Sequence, residues 1–128
     1  MRQAPVARRY AKALHALAVQ EGRLEPIAQD LLRFDRVLAD DAALREVLLR
    51  PWVQAGTKRT VVTAVTERLE LSLLTRNFLG LLAQRRRLTL LPEVIAAYRA
   101  LVDEAAGRAR ARVRSATPLT DAQRAAIR

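Results

Sequence analysis

Apolar residues recur along most of this chain three and four positions apart, the spacing that puts them on one side of a helix. The opening stretch, Val6 to Ala18, carries more than one such side. At about 100° per residue, Ala7, Ala11, Leu14 and Ala18 form one stripe, and Val6, Tyr10, Ala13 and Leu17 form a second beside it. Together they cover roughly 160°, against the roughly 100° that a core-facing helix needs. Arg8, Arg9 and Lys12 hold the other side. Two arrangements satisfy this pattern. Either the helix is central and buries both stripes, or the first stripe faces the core and the second is a seat for a partner.

Gly22 is placed to end this helix, because glycine tolerates the left-handed cap position. A second helix follows with Leu24, Ile27, Leu31, Phe34 and Leu38 in a narrow seam, and Pro26 falls harmlessly in its first turn. Asp40 and Asp41 can cap a short third helix carrying Leu44, Val47 and Leu48, which Pro51 stops. Trp52, the only tryptophan, reads as a core-edge anchor in the loop that follows. Gly56-Thr57 opens a fourth helix with Val61, Val62, Val65 and Leu69. Ser72 caps a fifth, Leu73 to about Gln84, with a core stripe of Leu74, Phe78, Leu81 and Leu82 and with Leu79 to one side. Gly80 in its middle costs roughly 1 kcal/mol relative to Ala and allows a close contact. A sixth helix presents Val94, Ile95, Tyr98, Leu101 and Val102 on one face, and Gly107 ends it.

The period then changes. In Arg108 to Arg114 the arginines alternate with Ala109, Ala111 and Val113, the pattern of a half-buried strand. Pro118 breaks it, and Thr120 to Gln123 resembles a helix cap. The expected fold is therefore mainly α. Residues 1–106 form a six-helix bundle, and residues 107–128 supply the first strand and helix of an incomplete α/β domain. A lone strand cannot satisfy its ladder groups, so the chain reads as a fragment or as having a tail that pairs elsewhere.

Composition narrows the chemistry. The 128 residues suit one ordinary domain with an appendage. With 51% apolar and only 4% aromatic residues, Leu, Ala and Val must fill the core. Without cysteine there are no disulfides or thiolate metal sites, and the single histidine, His15, falls on the polar edge of the first helix. No secretory signal is visible, and no apolar run approaches the roughly 18 residues of a spanning helix. The Arg-bearing opening could mimic a transit peptide, but it merges into a regular helix, and a bacterial cytoplasmic protein is the simpler expectation. The net charge of +10 favours acidic partners, although only Lys12 and Lys58 of 23 basic residues are lysine, as a GC-rich coding bias would give. Arg85-Arg86-Arg87 suits a helix C-terminus and also resembles a small phosphate patch. No phosphate loop, dinucleotide turn or nucleophile elbow is present. Glu67, Glu70, Glu93, Asp103 and Glu104 are scattered, so no acid–base pair and no catalytic residue is expected.

Four segments, in order and across nearly the whole chain, resemble the delta subunit family of F-type ATP synthase, which includes the oligomycin-sensitivity-conferring protein. They are Ala7 to Leu14 with Leu17-Ala18; Arg50-Pro-Trp-Val with Lys58 and Val61-Val62; Asn77 to Leu88 with Leu91-Pro-Glu-Val; and Val113 to Thr120. The resemblance implies a six-helix amino-terminal bundle that caps the catalytic head and holds an amphipathic helix from the amino terminus of an alpha subunit. A carboxy-terminal domain would grip the b subunits of the peripheral stalk. Such a protein is a non-catalytic stator in proton-driven ATP synthesis, without a cofactor, at the cytoplasmic side of the bacterial inner membrane and bound to it only indirectly. Carried over by segment, the alpha helix would dock on Tyr10, Ala13 and Leu17, with Phe78, Leu81 and Leu82. The chain departs from the family where a Gly-Arg-Leu turn becomes Arg86-Arg87-Leu88, where His15 replaces a usual Phe, and in its shorter length. The main alternative is a basic helical nucleic-acid binder, but no recognition-helix pattern or set of stacking aromatics accompanies the charge. A membrane-surface role for the first helix ranks last, since Val6, Tyr10, Ala13 and Leu17 offer little bulk for insertion.

Overall fold

A computed structural model describes the backbone of residues 3–116 and the side chains of residues 5–108. Its helices are α1 (Gln3–Glu21), α2 (Leu24–Asp40), α3 (Ala42–Leu49), α4 (Ala55–Arg68), α5 (Leu73–Gln84) and α6 (Leu91–Ala116), with a single 3-10 turn at Leu88–Leu90 leading into α6. α1 lies along α6, and α4 along α5. This matches the expected six-helix, mainly α bundle.

Local chemistry accounts for the boundaries. Gly22 adopts φ +67°, and Arg23 N–H donates to the Ala18 carbonyl at 2.9 Å, closing α1 with a left-handed cap. The Asp41 carboxylate accepts from Leu44 N–H at 3.0 Å and starts α3. The Arg45 guanidinium reaches back to the carbonyls of Leu38 and Ala39, satisfying acceptors left open at the end of α2. Ser72 caps α5 as expected, accepting from Thr75 N–H at 3.4 Å. Pattern reading did not find its partner. Asp30 Oδ2 on α2 accepts from Ser72 N–H at 3.0 Å, from the Ser72 hydroxyl at 2.9 Å and from the Thr75 hydroxyl at 2.8 Å. One carboxylate thus ties the start of α5 to the middle of α2.

The core holds Ala7, Ala11, Leu14 and Ala18 of α1, the whole α2 seam from Ile27 to Leu38, and Val94, Ile95, Tyr98 and Val102 of α6. The small alanines of α1 let α6 approach closely. Tyr98 is fully enclosed, and its hydroxyl donates to the Leu24 carbonyl at 2.7 Å, so the one polar atom of the ring is satisfied. Burial, reinforced by Glu25 and opposed by Arg99, pushes the phenol up to about 12.

Several expectations are corrected. Leu79 is fully buried rather than lateral, while Leu74 and Leu81 are only half-buried, so α5 turns Phe78, Leu79 and Leu82 inward. At Gly80 an added Cβ would stand 3.6 Å from Arg59 Nε, so the close neighbour the glycine admits is an arginine side chain of α4. Trp52 is 72% exposed, not a core anchor. The turn at Pro51 carries the ring outward, where the Arg50 guanidinium sits 5.6 Å from its centroid. His15 packs edge-on against Tyr98 at 6.1 Å instead of lying on a polar edge. Gly107 does not end α6, whose backbone is described as far as Ala116; the strand expected within Arg108–Arg114 is not tested by that description. An Arg108–Glu104 pair spans the glycine and supports the continuing helix. Side chains beyond Arg108, and the expected second-domain elements from Pro118 onward, lie outside the described residues.

Candidate helix-docking groove

The two apolar stripes of α1 separate cleanly. The first is sealed against α2 and α6, whereas on the second Val6 and Tyr10 are half-buried, Ala13 is exposed and Leu17 is 46% exposed. Beside this second stripe runs α5. Between them opens a cleft of about 380 Å³ lined by Val6, Arg9, Tyr10 and Ala13 of α1, Leu81 of α5, and Arg85 and Arg87 of the turn that follows. Tyr10, part of that lining, meets the buried Phe78 of α5 edge to face with centroids 6.3 Å apart.

The six residues expected at this surface divide. Tyr10, Ala13 and Leu81 line the cleft. Leu17 continues the same α1 stripe beyond the cleft and is solvent-facing. Phe78, at 7% exposure, supports Tyr10 from beneath, and Leu82, at 0%, belongs to the core. Helical geometry explains the split. Leu81 and Leu82 are about 100° apart on α5, so only one can face the core squarely.

Sequence reasoning placed Val6 on the spare stripe but did not bring Arg9, Arg85 and Arg87 to the same opening. The signal was the Arg85–Arg87 run; the turn conformation that aims it was not legible. Arg86 takes φ +58°, its N–H donates to the Ala83 carbonyl at 3.1 Å, and Arg87 N–H donates to the Leu82 carbonyl at 2.7 Å. This left-handed cap is the geometry a glycine adopts most readily. The Arg86 guanidinium donates to the Pro51 carbonyl, away from the groove lining, while Arg85 and Arg87 border the cleft. Lys58 is a further residue that pattern reading overlooked. It is only 3% exposed, and burial together with nearby Arg86 lowers its ammonium below the usual lysine range.

Among the described residues no cluster of histidine and carboxylate side chains could hold a metal ion. The groove offers an apolar floor, one small residue that permits close approach, and a cationic border. Those are the properties of a seat for an amphipathic helix.

Comparison with known proteins agrees with the resemblance in the sequence. A family profile described as ATP synthase delta (OSCP) subunit matches residues 6–128. ATP synthase subunit delta of Anaeromyxobacter dehalogenans strain 2CP-C is 43% identical over 120 residues, covering 94% of this chain and 66% of that protein. The subunit of the same name from Methylorubrum populi is 42% identical over 119 residues, covering 93% and 63%. ATP synthase subunit delta 1 of Syntrophotalea carbinolica is 39% identical over 127 residues, covering 99% and 71%. The chain spans about two thirds of the length of these relatives.

Proposed function

The chain belongs to the ATP synthase delta (OSCP) subunit family, and from that premise we propose that it is a non-catalytic stator component of an F-type ATP synthase. Its helical bundle receives the amino-terminal helix of an alpha subunit in the α1–α5 groove and so holds the catalytic head. The family's remaining length, with residues beyond α6, grips the b subunits of the peripheral stalk. Attachment to the membrane is indirect; among the described residues no helix is long and apolar enough to cross one. The observation that carries the reading is the division of α1 into a sealed stripe and an open apolar stripe beside Leu81. Val6 and Tyr10 of that second stripe pack partly on the core, while Ala13 and Leu17 stay exposed beside them.

Tyr10 and Leu81 are the anchors, Phe78 sets the position of Tyr10, and Ala13 leaves room for the incoming backbone. A few such anchors dominate a helix-in-groove contact. The test is a fluorescence-anisotropy titration of a labelled peptide from the amino terminus of the cognate alpha subunit, with a short DNA duplex alongside. Ala13→Asp puts a carboxylate into the seat at a position already exposed, so the fold should keep its melting temperature. Burying that charge should weaken the peptide by about ten- to a hundredfold. Peptide binding should persist at high salt, whereas DNA binding to a basic chain collapses. If Ala13→Asp binds the peptide as well as the parent, the seat is elsewhere; salt-resistant DNA binding without peptide binding would favour the nucleic-acid reading.

A further inference from the structure

The cations around the groove are unmatched. Arg9 borders it from the α1 side, Arg85 and Arg87 from the α5 side, and none of the three has a carboxylate partner among the described residues. The cleft at the end of α3, lined by Ala42, Arg45, Glu46, Leu49 and Arg50, makes the contrast. There Arg50 is paired bidentately with Glu46 at 2.7 and 2.9 Å, and Arg45 is spent on carbonyls of α2. Three exposed like charges around one apolar opening, none of them paired with a carboxylate among the described residues, make its border positive. Such a border favours an anionic occupant.

Resting on the reading of this groove as a helix seat, we propose that the partner helix bears acidic side chains on both edges of its apolar stripe, and that Arg9, Arg85 and Arg87 select it by pairing with them. The two-sided placement matters. A helix laid on Val6, Tyr10, Ala13 and Leu81 turns the positions flanking its own stripe toward the two walls. One edge meets Arg9, the other Arg85 and Arg87. The pairs form at a solvent-exposed border, so they set register, partner choice and association rate more than total affinity.

The test titrates the full chain and its triple variant R9Q/R85Q/R87Q with two synthetic peptides. One is the amino-terminal segment of the cognate alpha subunit; the other is the same peptide with every Asp and Glu replaced by Asn and Gln. The parent should bind the acidic peptide about tenfold more tightly than the neutral one at low salt, and salt should remove that difference while the apolar remainder persists. The triple variant should bind both peptides alike, at the level of the parent with the neutral one; this loss of coupling isolates the ion pairs. R9Q alone, at an exposed helical position, should show roughly a twofold share and guards against a folding defect in the triple. If the triple variant binds the acidic peptide as tightly as the parent and with the same salt response, the rim does not select, although the groove still binds. If neither protein binds either peptide, the seat itself is refuted along with its selectivity.

Discussion

Leu81 and Leu82 are neighbours in sequence with opposite duties, and replacing each with alanine separates the groove from the core. Leu82 is fully enclosed, so Leu82→Ala removes its side chain from a packed site and leaves a void. Buried Leu→Ala changes cost about 2–5 kcal/mol, and the absence of any exposed surface puts this one near 3. For a chain of 128 residues each kcal/mol lowers the melting temperature by about 3–5 °C, so a fall of about 9–15 °C is expected. Leu81 is half-buried on the groove wall, so Leu81→Ala should cost only about 1 kcal/mol of stability. Peptide binding should behave in reverse. Truncating a wall residue should lose about 1–2 kcal/mol of affinity, about five- to thirtyfold, while the folded fraction of Leu82→Ala stays within about threefold of the parent. Urea unfolding followed by circular dichroism gives the first quantity, and anisotropy with the alpha-subunit peptide, below the melting temperature of the weaker variant, gives the second. The division of labour fails if Leu82→Ala loses binding at unchanged stability, or if Leu81→Ala destabilises as much as Leu82→Ala and binds normally.

This pair also shows where sequence reasoning stops. Periodicity placed the helices and identified the sealed stripe of α1, because a stripe of three alanines and one leucine at i, i+4, i+7 and i+11 has a single low-energy use. It left the second stripe open between burial and docking; beside α5, Val6 and Tyr10 are half-buried while Ala13 and Leu17 are exposed. On α5 the run Phe78-Leu-Gly-Leu-Leu82 is apolar at every position, so the pattern could not fix the helix's rotation, and Leu79 was assigned to the wrong side. Trp52 and His15 were misplaced for a related reason. Residue type gives an average tendency to be inside, while a loop exit and a neighbouring ring on α6 decide the individual case. The aim of Arg85 and Arg87 depends on a left-handed residue at Arg86, which arginine itself does not announce and which only the glycine of the resembled family's turn pointed to.

That residue carries a prediction of its own. At φ +58° a side chain costs about 1–2 kcal/mol that glycine avoids, so Arg86→Gly should be more stable than Arg86→Ala by about 1 kcal/mol in urea unfolding, both having lost the bond to Pro51; equal stabilities would mean the cap is not left-handed in solution. Tyr98 supplies a pH signature. Its folded phenol titrates near 12, above the ordinary value of about 10, so the folded state favours the neutral ring. The sign follows: that stabilisation is complete below pH about 10 and is lost as pH rises toward 12, amounting to about 2–3 kcal/mol. Tyr98→Phe keeps the ring but strands the Leu24 carbonyl, so it should start about 1–3 kcal/mol less stable at neutral pH and then lack the alkaline decline of the parent. Urea midpoints measured from pH 8 to 12 decide the matter, since deprotonation of the other tyrosine and of the lysines is common to both proteins and cancels in the difference. Parallel curves would show that the phenol reaches solvent and that the contact between α2 and α6 opens before the bundle does.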